Sequence, residues 1–168
     1  AIDGRDADQI GTGKVVDTKG KTMPVDIAFN DRLSYFSQII IGRKFNDWLS
    51  IQAAASFTHY NMAEWDQNHD IVGMHFNGRI KISPQSSIVI NYDHPLKIES
   101  LSEQEEFVNH PEPNLAFGLE ISTSTHAFQI YAGTADGILP QDMMMKNYND
   151  WTDGGLAIGL VITRLWNF

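Results

Sequence analysis

The feature that most constrains this chain is a two-residue alternation of apolar and polar side chains that returns along nearly its whole length. In a β-strand successive side chains point to opposite faces, so such alternation describes a ribbon with one apolar and one polar side. VGMHFNGRIKI is the clearest case: Val72, Met74, Phe76, Ile80 and Ile82 alternate with Gly73, His75, Asn77, Arg79 and Lys81. Segments 23–30, 33–45, 49–60, 87–93, 114–122, 126–134 and 156–168 read the same way, which makes eight strands in all. Helical periodicity is hard to find. The expected fold is therefore all-β.

The links between these segments alternate too. Tight ones follow the second, fourth and sixth strands, at 45–48, 83–86 and 123–126. Long ones follow the third, fifth and seventh, at 61–70, 94–113 and 135–153. Short turns at one end and long loops at the other describe an antiparallel up-and-down meander, as in transmembrane β-barrels. One link breaks the rule. Only Asn30, Asp31 and Arg32 join the first two segments, which predicts either a tight hairpin there or residues of the natural protein missing from this chain.

Alternation alone does not say which side is covered. A soluble β-barrel or sandwich turns its apolar side inward, where it could bind an apolar ligand; a membrane barrel turns it toward lipid. Three features favour lipid. The polar faces carry Gly42, Gly73, Gly118, Gly133, Ala28, Ala54 and Ala116, small residues suited to a crowded interior rather than to a water-facing sheet. Tyr35, Phe45, Trp48, Phe57, Tyr60 and Tyr92 stand near strand ends, as in the aromatic girdles of membrane barrels. The last segment, GLAIGLVITRLWNF, ends in Trp166 and Phe168, the aromatic finish that barrel insertion machinery reads as an assembly signal. Ile39, Ile41, Phe76, Ile80, Leu119 and Ile162 are then expected to face lipid.

Composition narrows the function classes. Twelve basic residues against 21 acidic ones give a net charge of −9, which argues against nucleic acid as a partner. There is no cysteine, so disulfides, thiolate metal sites and thiol catalysis are excluded. At 168 residues the chain fits one domain, with 23–168 read as the barrel and residues 1–22 as a separate N-terminal segment.

Several stretches resemble a family of Bacteroidota β-barrel proteins known only as a domain of unknown function. They are DRLSYFSQIIIGRKF with LSIQ, FNGRIKIS, NLAFGLEIST, HAFQIYAGT, and a W-x-D-G-G before a last strand ending TRLWNF. The resemblance begins near Met23 and covers most of the chain; residues 1–22 match poorly. It implies a bacterial outer-membrane location and a parent barrel of about 10–12 strands. It carries over no activity and no catalytic residues. The expected partners are outer-membrane lipid, the insertion machinery and other envelope proteins.

The polar side holds the residues that could do chemistry. His75, Asn77, Arg79, Lys81, Asp93 and Glu120 share one face, and charges in a narrow interior have to be paired. The expected arrangement is a lumen network of salt bridges and hydrogen bonds, in a barrel with a structural, accessory or narrow-channel role and no enzymatic activity. A lipid-modifying enzyme of the outer membrane is the alternative. It requires a serine such as Ser56 or Ser122 beside a histidine oriented by a carboxylate. No metal or other cofactor is expected, since none of the six histidines stands at a metal-binding helical spacing. The Met run of DMMMKNYNDWTDGG suits either a contact tip or a loop folded back over the barrel mouth.

Overall fold

The computed structural model describes residues 14–16, 22–24, 29–63, 67–102, 109–135, 137 and 139–164. Two short strands, β1 (Lys14–Val16) and β2 (Thr22–Pro24), pair with each other. A 3-10 turn, Phe29–Arg32, leads into a meander of seven strands: β3 (Ser34–Lys44), β4 (Leu49–Tyr60), β5 (Asp70–Lys81), β6 (Ser86–Pro95), β7 (Asn114–Ser122), β8 (His126–Gly133) and β9 (Ala157–Arg164). One helix, α1 (Pro140–Lys146), interrupts the loop between β8 and β9. Each strand of the meander pairs antiparallel with its neighbour in sequence.

Among the described residues the sheet therefore has seven strands where the alternation gave eight. The expected first strand, 23–30, falls partly outside them: its first two residues belong to β2, Phe29 and Asn30 to the 3-10 turn, and residues 25–28 lie outside the described residues. The link at Asn30 is that turn, closed by the Leu33 amide donating to the Asn30 carbonyl at 3.1 Å. Since β3 and β9 are separated by six antiparallel steps, they run in the same direction. An all-antiparallel barrel closes from this sheet only by adding an odd number of strands between them. Closure is required of any spanning sheet, because an open edge leaves backbone groups unpaired in hydrocarbon.

The three tight links are held by their own side chains. Asn46 Oδ1 accepts from the amides of Trp48 and Leu49 at 3.0 and 2.7 Å. Ser83 Oγ accepts from Gln85 and Ser86, and Thr123 Oγ1 from His126. These Asx- and Ser/Thr-turns fix the register of the hairpins they close. With 12 residues, β4 is about 40 Å long, or about 28 Å high at a tilt of about 45°, close to the thickness of a bilayer's hydrocarbon core.

The molecule is inside-out relative to a soluble β-protein. Ile39 and Ile41 are each 75 % exposed and Ile158 81 %, and Phe76, Leu119, Ile130 and Ile162 lie exposed on the same side. Ile80 is half-buried there, flanked by Leu49 and Ile88 on the neighbouring strands. The other side buries Ser34, Ser56, Thr58, His75, Ser87, Asp93 and Asn114. Among the described residues the one apolar core cluster is Tyr60, Ile71, Met144 and Met145, with Met143 against them.

All three of those methionines come from α1. Pro140 stands at its first turn, Asp142 follows where a negative charge suits the helix dipole, and Lys146 closes the last turn. Unbranched Met favours the helix. The helix lies on the polar face over β4, β5 and β6, so the Met run is folded back into the sheet rather than presented outward.

Candidate functional site

Beneath α1 the register of three strands assembles a chain of hydrogen bonds. Ser56 lies opposite Gly73 on β5, and His75 lies opposite Asp93 on β6, all on the inner face. Ser56 Oγ is 2.7 Å from His75 Nε2, and His75 Nδ1 is 2.7 Å from Asp93 Oδ1. All three are buried, at 4, 4 and 3 % exposure. The far oxygen of Asp93 accepts from the amide nitrogens of Asn91 and, at 2.8 Å, Asn114. Asn114 is oriented in turn, because its Oδ1 accepts from the Ala135 amide and from the Thr134 hydroxyl. An acceptor-only carboxylate requires the proton of His75 on Nδ1. In the neutral imidazole Nε2 is then the acceptor, and Ser56 donates to it.

Gly73 leaves a notch beside this chain. A Cβ there would stand 2.5 Å from Met144 Sδ, 2.8 Å from Ser56 Oγ and 3.2 Å from His75 Nε2. The absent side chain is what lets the Met144 thioether reach the Ser56–His75 bond. Helix α1 is tethered above by the Tyr60 hydroxyl donating to Asp142 at 2.9 Å, by Gln141 donating to Ser34, and by Lys146 over the Tyr60 ring. Thr58, next on the same face of β4, is fully buried, and among the described residues its hydroxyl has no hydrogen-bond partner.

A second cluster lies nearer the turns. Arg79 donates through Nη2 and Nε to Glu120 Oε1 at 2.6 and 3.1 Å, Gln129 donates to Glu120 Oε2 at 2.8 Å, and Ser122 lies alongside. Between the two clusters is a cavity of about 730 Å³, lined by Gln52, Asn77, Arg79, Asn91, Asn114 and Gln129 and reaching from Gly42 of β3 to Val161 of β9. The six polar residues read from the sequence thus fall into two separate groups. His75 and Asp93 form one with Ser56, Arg79 and Glu120 the other; Asn77 lines the cavity between them, and Lys81 lies exposed at the turn end. Nothing in the sequence marks Asn91, Asn114 or α1 as part of the site, and Trp166 and Phe168 lie outside the described residues.

The long loops are stitched together over the same end. Asn147 and Glu112 exchange two hydrogen bonds, Gln67 donates to Tyr148, and Ser102 donates to Asn68. His110 donates to the Pro95 carbonyl at 3.1 Å. Burial holds its pKa below the usual imidazole range, against the smaller opposite pull of that bond. His59 contacts Asp70 and Asn61, and among the described residues no three His or acidic side chains converge as a metal site.

An apolar exterior around a polar, buried interior is the arrangement that lipid selects. Residues 9–166 match the family described as Membrane bound beta barrel domain (DUF5777). The chain belongs to this family. The match starts at residue 9, inside the N-terminal segment 1–22 that was expected to match poorly. No curated protein and no solved structure matches the chain. A membrane-bound barrel domain accounts for the exposed isoleucines of β3 and β9, which would be a severe liability in water.

Proposed function

We propose that this DUF5777 domain is a bacterial outer-membrane barrel with a structural or accessory role around a narrow, plugged passage. Its tight turns face the periplasm and its acidic loops face outward, following the length asymmetry of outer-membrane barrels. Other envelope proteins would dock on the loop end, and the insertion machinery would read the C-terminal aromatics.

The observation that carries the plugged passage is α1: it lies across the polar face with Met144 fully buried. Below it, the cavity of about 730 Å³ has room for a small polar solute, and the Arg79–Glu120 pair narrows the way onward. This role needs no catalysis. Planar-bilayer conductance tests it. The native barrel is expected to pass little current, and replacing residues 139–147 by a glycine–serine linker should open it several-fold. A native barrel that already conducts as freely as the linker variant would refute the plug.

The lipid-modifying alternative has one specific observation in its favour. The structure brings Ser56 and His75 within hydrogen-bond distance, with Asp93 on the other ring nitrogen.

A further inference from the structure

We propose that Ser56, His75 and Asp93 form a serine-hydrolase centre for straight-chain acyl esters, with α1 as its lid. The inference goes beyond the plugged passage but rests on the same placement of α1.

The geometry supplies a nucleophile, a base and the carboxylate that orients it. Asp93, held by two asparagine amides, fixes the His75 tautomer, which leaves Nε2 free to take the Ser56 proton at 2.7 Å. A network built only for stability needs paired polar groups; it does not need serine, imidazole and carboxylate in this order, on these nitrogens. Thr58, two residues along β4 on the same face, is fully buried, and among the described residues its hydroxyl has no partner. The Gly73 notch adjoins the nucleophile and accommodates an unbranched thioether. A straight acyl chain has the same width and flexibility as the Met144 side chain, which points to the substrate class and to the lid at once.

The reaction balances on these groups and one water. Ser56 Oγ bonds to the acyl carbon as its proton passes to His75 Nε2. The tetrahedral adduct collapses with cleavage of the ester C–O bond, and His75 returns the proton to the leaving alcohol. Water then attacks the acyl-serine, giving a proton to His75. Collapse of the second adduct breaks the acyl–Ser56 bond and releases the carboxylic acid, and the proton returns to Ser56 Oγ. Each turnover must begin with withdrawal of Met144 from the notch.

An alkyl fluorophosphonate, which phosphonylates activated serines, tests the proposal on the folded barrel in detergent, read by intact mass and peptide mapping. The expected result is slow labelling at Ser56, faster by about tenfold or more in Met144→Ala, absent in Ser56→Ala, and reduced about 10³-fold or more in His75→Gln. Tyr60→Phe, which loosens the α1 tether without touching the triad, provides a second route to faster labelling should Met144→Ala fold poorly. Two substrates identify the source of the ester. Release of p-nitrophenol from p-nitrophenyl butyrate alone indicates a soluble ester; release of fatty acid from phosphatidylethanolamine–phosphatidylglycerol vesicles indicates membrane lipid. Either result requires Ser56. A folded Met144→Ala or Tyr60→Phe barrel that takes no label at Ser56 and cleaves neither substrate overturns the hydrolase. The conductance of the linker variant reports on the plug separately, so the two readings fail independently.

Discussion

Placing arginine at Ile39 separates lipid from water as the covering medium. Ile39 is the sixth of the 11 residues of β3, the midpoint of the strand, and 75 % of its surface is uncovered by protein. If water covered it, Ile39→Arg would replace one exposed side chain by another, with an effect within about 0.5 kcal/mol. If hydrocarbon covers it, a guanidinium at the bilayer midplane costs about 2–4 kcal/mol, which is about 30- to 900-fold in the folding equilibrium. Position should matter as well as chemistry. Ile82, 56 % exposed but at the β5–β6 turn, lies where snorkelling reaches the interface, so Ile82→Arg should cost about 0–1 kcal/mol. The assay is reversible urea unfolding of the barrel refolded into phospholipid vesicles, followed by tryptophan fluorescence. Equal effects at Ile39 and Ile82, both within about 0.5 kcal/mol, would refute the reasoning.

Glu120→Gln removes the charge from the node that receives Arg79 and Gln129; with Arg79 about half exposed, the expected loss is about 1–2 kcal/mol, read as a lower temperature for loss of the folded band on a gel. Tyr60→Phe removes the bond to Asp142 and should speed amide exchange across residues 140–146 while leaving the protection of β4 and β5 unchanged. Because burial lowers the His110 pKa in the folded protein, the unfolded chain takes up the proton first. The stability it contributes is full above about pH 6.5 and falls as pH drops below that value, levelling off below the folded pKa; His110→Asn should flatten that stretch of the pH–stability profile.

Much of the sheet was legible because alternation and turn chemistry agree. The bounds 49–60 and 114–122 are those of β4 and β7, and β3 differs from its predicted span by one residue at each end. Inside-out polarity was legible from the glycines and alanines of the polar side. Helix α1 was not: seven residues span two turns, too few for a 3.6-residue period to stand out, and Pro140 reads as a breaker although it is also a good first residue. The site was legible in its parts and not in its assembly. Ser56, His75 and Asp93 could each be placed on the polar face, but only the register that sets Ser56 opposite Gly73 and His75 opposite Asp93 brings them into one chain. Arg79 and Glu120 meet two strands apart for the same reason. Asn91 and Asn114 carry no signal of their own, because their task depends on where the Asp93 carboxylate falls.

With no cysteine in the chain, a single nitroxide can be placed at will, and accessibility to oxygen against a water-soluble nickel complex reads the surrounding medium directly. Labels on Ile39→Cys, Ile41→Cys and Ile130→Cys in vesicles should meet oxygen and exclude nickel, while a label on Asp47→Cys in the β3–β4 turn meets nickel freely. Nickel accessibility at Ile39 equal to that at Asp47 would contradict a lipid-facing sheet.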